Sequence, residues 1–284
     1  MSITISGTVN AVPSVADVVE QLNLNDISFR YEVDQYSPWP EQPLQVWRHG
    51  LSTRTTEVNR EGRRVSVRIF SLASSEDHEL ALKLLRTFSI EGPVDAEELG
   101  QFDSVEDLAP ALGEEAAGAK LESGYGILKS LVDRNDSPVD APGPVRSTWF
   151  GPRVFEEIDN SDLPVAEAVV NFIRKVQWEI DPRFEQASIF LAGPPEKDVQ
   201  NGADPDAKFS LAMWLSDRAI VLPRVEKVAV RSYDEDIVLI PHDAAHRLAG
   251  DRWTFIDEAQ GCIEAISGAD WMALYEEAKA IAES

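Results

Sequence analysis

The feature that most constrains the fold of this chain is a change of hydrophobic period between Arg64 and Phe88. From Arg64 to Ser71 the apolar residues Val65, Val67 and Ile69 alternate with polar ones, the pattern of a half-buried strand. Directly after it, Ser74 and Ser75 offer helix caps, and Glu76 and Asp77 put negative charge into a first turn. Leu80, Leu84, Leu85 and Phe88 then recur at helical spacing. Ile27 to Val33 alternates as cleanly as the later strand, and the Glu61-Gly62 step marks a hairpin turn ahead of it. Strands joined by tight turns and followed by an amphipathic helix make an antiparallel sheet with a helix on one face. The expected class is therefore α+β, in two similar-sized halves with mainly antiparallel strands and packed amphipathic helices. Residues 1–90 form its N-terminal α+β unit.

From Val94 to Ala119 the chain carries eight acidic residues and no basic one: Asp95, Glu97, Glu98, Asp103, Glu106, Asp107, Glu114 and Glu115. Leu99, Phe102, Val105, Leu108 and Leu112 are spaced among them in a helical manner, which predicts a short helical insertion with a solvated acidic face. Ser123-Gly124-Tyr125-Gly126 reads as a turn. Asp133 to Arg146 holds three prolines and little apolar content, so it reads as a linker, and residues 91–146 form an acidic helical insertion with a Pro-rich linker.

Residues 147–284 form the C-terminal α+β unit. A strand is expected over Ser147 to Phe155, then a helix with the stripe Val165, Val169, Phe172, Ile173, Val176 and Ile180. A short buried strand at Ser188 to Ala192 and a loop at Gly193 to Lys208 follow. Strands at Ala219 to Leu222, Lys227 to Arg231 and Ile237 to Ile240 precede two helices, Phe255 to Ile266 and Ala269 to Ala282.

Charge bounds the partners. Fifty acidic residues against 26 basic ones leave a net charge of −24, which disfavours nonspecific binding to nucleic acid or to anionic membranes and favours a basic protein partner. MSITISGTVN has neither the basic start nor the apolar middle of a secretory signal, and no apolar run approaches the length of a membrane span, so a cytoplasmic location is expected. One cysteine, Cys262, excludes an internal disulfide and any multi-cysteine metal cluster.

Two stretches carry residue types that do chemistry. In the first, Arg48-His49-Gly50 follows a short apolar run, and His242-Asp243 comes later in the chain. In these residues the chain resembles the histidine phosphatase superfamily, and in the His-Asp pair its acid phosphatase branch. The resemblance implies a histidine nucleophile at His49, phosphate ligands at Arg48 and His242, a proton donor at Asp243, and a parallel sheet. The chain departs from that branch at Ser52, where the branch has an arginine. The residue-level alternative is an edge or loop segment with Trp47 on the core. Arg48, Arg54, Arg60, Arg63, Arg64 and Arg68 then form a locally basic face, which either pairs with the acidic insertion or holds a phosphate or a carboxylate.

In the second, His242 and His246 stand four residues apart with Asp243 between them, a pattern similar to the His-Glu-x-x-His of zinc proteases, with Glu258 and Glu264 as further ligand candidates. Pro241 places His242 at a strand-to-helix junction, where Asp243 serves the first turn, and no metal or other cofactor is expected. No phosphate-cradling glycine loop and no nucleophile elbow is present. The expected function is that of a non-catalytic, acidic, bacterial-type binding protein, such as an immunity protein neutralising a basic antibacterial toxin. The alternative is a phosphate-ester hydrolase acting through Arg48, His49, His242 and Asp243.

Overall fold

The computed structural model describes residues 2–194, 204 and 206–283, so much of the loop expected at 193–208 lies outside the described residues. The chain divides into two compact units, Met1–Glu179 and Ile180–Ser284. It is α+β with mainly antiparallel sheets. No described helix is long and apolar enough to cross a membrane.

The first unit runs β1 (Ile3–Val9), α1 (Val15–Leu22), β2 (Ile27–Phe29), β3 (Leu44–Arg48), β4 (Thr56–Glu61), β5 (Arg64–Ile69), α2 (Ser75–Thr87), β6 (Ile90–Ala96) and β7 (Gly100–Phe102). It continues with α3 (Val105–Leu108), a 3-10 turn at Ala109–Leu112, α4 (Glu114–Asn135), β8 (Val139–Pro142), β9 (Ser147–Phe150), α5 (Pro152–Asp159) and α6 (Val165–Trp178). Seven strands make one sheet in the order β2-β3-β4-β5-β1-β6-β7. Every pairing in it is antiparallel. The alternation in β5 has its expected result: Val65, Val67 and Ile69 are buried while Arg64 and Arg68 are exposed. Helix α2 begins at Ser74, whose side chain and the Asp77 carboxylate form a reciprocal capping box. Its stripe Leu80, Leu84, Leu85 and Phe88 joins the core, where Trp39 meets Phe88 edge-on at 5.1 Å between ring centroids.

Several expectations change here. The acidic stretch opens as the β6–β7 hairpin, because Val94 and Ala96 alternate inward with period two; helix begins only at Val105. Ser123 to Gly126 lies inside α4, where Gly124 lets the helix approach α2's leading loop: a Cβ there would meet Leu72 Cδ2 at 3.2 Å. The segment read as a linker holds the end of α4 and the β8–β9 hairpin, and the units part after Glu179. Strand β9 stops at Phe150, because Pro152 starts α5 from its first turn. Arg48 ends β3, an interior strand of an antiparallel sheet, and His49-Gly50 form the turn after it, so the stretch runs from an interior strand into a loop and is not part of a parallel sheet.

The second unit runs β10 (Glu185–Gln186), β11 (Ile189–Ala192), β12 (Phe209–Trp214), β13 (Ile220–Leu222), β14 (Lys227–Arg231) and β15 (Ile237–Pro241). Then come α7 (His242–Ala249), a 3-10 turn at Gly250–Arg252, β16 (Trp253–Phe255), β17 (Gly261–Ile263) and α8 (Gly268–Glu283). Two four-stranded sheets, β11-β12-β14-β15 and β10-β13-β17-β16, share a core in which Trp214 and Trp271 meet edge-on at 5.8 Å. The helix expected over Phe255 to Ile266 is instead the β16–β17 hairpin. Asp257 Oδ1 accepts the Ala259 and Gln260 N–H groups and closes the turn, and Gly261 passes so close to Trp253 that a Cβ would come within 2.2 Å of its ring. Strand β11, expected to be buried, is an edge strand with Ile189, Phe190 and Leu191 exposed.

Candidate functional site

The acidic stretch forms one margin of the seven-stranded sheet and the helices after it. Val94, Ala96, Val105, Leu108 and Leu112 turn into the core, and that anchoring directs their acidic neighbours outward. All eight carboxylates, Asp95, Glu97, Glu98, Asp103, Glu106, Asp107, Glu114 and Glu115, are exposed. Arg86 of α2 forks onto Glu106, at 2.8 and 2.7 Å, and holds that carboxyl below its ordinary range. Asp107 accepts the Ser104 hydroxyl at the start of α3. The other six have no side-chain partner among the described residues, while Glu114 and Glu115 favour the first turn of α4 through the helix dipole. Two arginines of the β3–β5 meander are engaged away from this margin. Arg60 reaches the Trp39 carbonyl and Glu41, and Arg63 reaches the Val9 carbonyl and Asn10.

The residues of the phosphatase resemblance are not gathered in one unit. Arg48 and His49 belong to the first, His242 and Asp243 to the second. At the end of β3 the Arg48 guanidinium is already held by Asp26 at 3.0 Å and Glu79 at 3.7 Å. His49 is exposed, with its ring edge-on to Trp178 at 4.8 Å, and Ser52 uses its hydroxyl to accept the Arg48 N–H. An arginine paired with two carboxylates has little field left for a phosphoryl group, so the local geometry lends that chemistry no support.

The second histidine stretch starts α7 as its proline dictates. His242 is buried, and among the described residues neither of its ring nitrogens has a hydrogen-bond partner; Asp243 Oδ1 lies 3.7 Å from Nδ1, beyond hydrogen-bond reach. Burial first, then the nearby Arg224, hold its pKa below the usual imidazole value. His246 packs against Trp253 and Phe255, each at 4.9 Å between centroids. Asp243 faces solvent and reaches Arg224 at 3.3 Å. Among the described residues, no group of three or more His, Cys, Asp or Glu side chains is placed to hold a metal ion, and Glu264 is engaged by Arg183.

A polar node that the sequence reading did not assemble lies just beyond Gly50. Five consecutive polar residues, Ser52 to Thr56, are buried. The fully buried Asp77 carboxylate explains how: its Oδ2 accepts the backbone N–H groups of Thr53, Arg54 and Ser74 at 2.9 to 3.1 Å. Burial pushes the Asp77 carboxyl up, against the hydrogen bonds that pull it down. This fastening fixes the backbone of Arg54 and sends its side chain toward Phe70, with the guanidinium carbon 5.6 Å from the ring centroid. The available signal was the polar run STRTT, too long to be solvated inside a strand-rich region, followed by a capping Asp.

Comparison with known proteins returned no matching family model, no matching curated protein and no matching solved structure.

Proposed function

We propose that the protein works by binding rather than by catalysis, offering the acidic margin formed by β6, β7, α3 and the start of α4 to a basic protein partner. The observation that supports this reading is the state of the eight carboxylates there: all are exposed, and one alone, Glu106, is paired with an arginine. A chain that used them only to balance its own arginines would pair them. In a molecule of net charge −24, such a margin attracts a cationic surface quickly and in a salt-dependent way. An immunity protein that masks a basic antibacterial toxin is one concrete form of this function. The experiment is capture of a basic partner on the immobilised full chain, compared with a variant in which Asp95 and Asp103 become Asn and Glu97, Glu98, Glu114 and Glu115 become Gln. The native chain should hold the partner at about 20 mM salt and release it at about 500 mM, where screening is nearly complete, and the variant should fail to hold it. Equal retention by the neutralised variant would sink the proposal.

A further inference from the structure

In a chain with about two carboxylates for every basic residue, arginines without an acidic partner need explaining. Two of them flank one cavity in the first unit. Arg54 is only 8% exposed. No carboxylate lies within ion-pair distance of it among the described residues, its Nε is buried with no hydrogen-bond partner, and its side chain makes no hydrogen bond elsewhere. Arg68, exposed on β5, has its guanidinium carbon 4.9 Å from the centroid of the same Phe70 ring. Its one side-chain hydrogen bond goes to the Ser2 hydroxyl at 3.2 Å. Both line a cavity of about 260 Å³ between β5, α4 and β8. Its remaining wall is mostly apolar: Phe70, Leu72, Ile127, Leu128, Leu131 and Pro142. The single carboxylate in that wall is Asp140, which accepts the Ser147 hydroxyl at 3.1 Å.

We propose that this cavity binds a small monocarboxylate with an apolar body, its carboxylate on Arg54 and Arg68 and its hydrocarbon against α4. Charge selects the class. The charges of Asp77 and Asp140 already act on Arg54, so the two guanidinium groups have room for one further carboxylate, whereas a phosphate dianion would add a second negative charge beside Asp140. Shape agrees, because a volume of 260 Å³ matches about nine water molecules at ~30 Å³ each, room for a short chain or one ring. Arg54 is the built part of the site: its backbone is pinned by Asp77, and its buried Nε gains the partner it lacks. Burial lowers Arg54 to about 10, so it stays cationic at neutral pH. The site is independent of the acidic margin, and either can fail without the other.

The test titrates the full chain with hexanoate, hexanol and inorganic phosphate as separate probes, followed by calorimetry and by the amide resonances of Phe70 and Leu128. Hexanoate should bind at one site; hexanol, which keeps the chain and loses the charge, and phosphate, which keeps charge and loses the chain, should each bind about tenfold more weakly or worse. Arg68→Ala, at an exposed position that does not threaten folding, should weaken hexanoate by about tenfold, and Ile127→Trp, at a 40% exposed wall position, should occlude the cavity and abolish binding. The proposal is overturned if hexanoate gives no saturable response up to about 10 mM. It is equally overturned if hexanol or phosphate binds as well as hexanoate, or if Arg68→Ala leaves the affinity unchanged.

Discussion

Two adjacent side chains, Asp77 and His78, show how burial sets chemistry residue by residue. Burial first, and then the nearby Lys120 charge, lowers His78 to about 4 from 6.5, against the opposing pull of a hydrogen bond with the Leu112 backbone. The folded protein therefore holds His78 neutral. Its contribution to stability is complete above the unfolded value of 6.5 and is lost as pH falls toward 4. At about 1.4 kcal/mol per pKa unit the loss comes to roughly 3 kcal/mol. Asp77, raised by burial, has the opposite sign: it favours the fold at low pH and gives that up as pH rises past the ordinary carboxylate value. The two overlap, so the clean measurement is a difference. Urea unfolding of the native chain and of His78→Gln from pH 7 to pH 4 should show the gap between them shrinking by about 3 kcal/mol on acidification, and a pH-independent gap would refute the assignment. Neither role was legible in the sequence, where Asp77 shows only as a first-turn charge and His78 as one more polar residue of a helix face.

Elements were legible where one local rule governed them. Period-two alternation located β5, and the Ser74 cap located α2, because in each the buried face and the local preference agree. They were illegible where a distant contact decided. Apolar residues between Phe255 and Ile266 fit a helix, yet the Asp257 turn and the close passage of Gly261 under Trp253 make a hairpin. Gly124 signals a turn but serves a helix that must come close to Leu72. The arginine-lined cavity was out of reach for the same reason, since its wall comes from residues near 54, 70, 128 and 141 of the chain. Gly261→Ala tests the hairpin account directly. A Cβ 2.2 Å from the Trp253 ring forces that ring to move and should cost roughly 1–3 kcal/mol in urea unfolding, with an altered tryptophan fluorescence; a neutral substitution would mean the close passage is not a constraint.

At the scale of the whole chain, net charge works against compactness. With −24 charges and six carboxylates along one margin that have no side-chain partner among the described residues, the folded state carries self-repulsion that dissolved ions relieve. Stability should rise with added sodium chloride between about 20 and 500 mM, by something on the order of 1 kcal/mol, before any general salting effect sets in. Urea midpoints measured at the two concentrations decide it, and a midpoint that stays put or falls contradicts the picture. The edge strand β11 adds a countervailing outcome. Among the described residues β12 alone pairs with it, and Ile189, Phe190 and Leu191 stand 56%, 51% and 73% exposed. Such an oily ribbon border is a template on which a neighbouring copy can lay its own strand, and mutual repulsion is what holds copies apart. Brine thus tightens each molecule while removing the fence between molecules, so the most rugged solutions of this protein are also the ones nearest to turning cloudy.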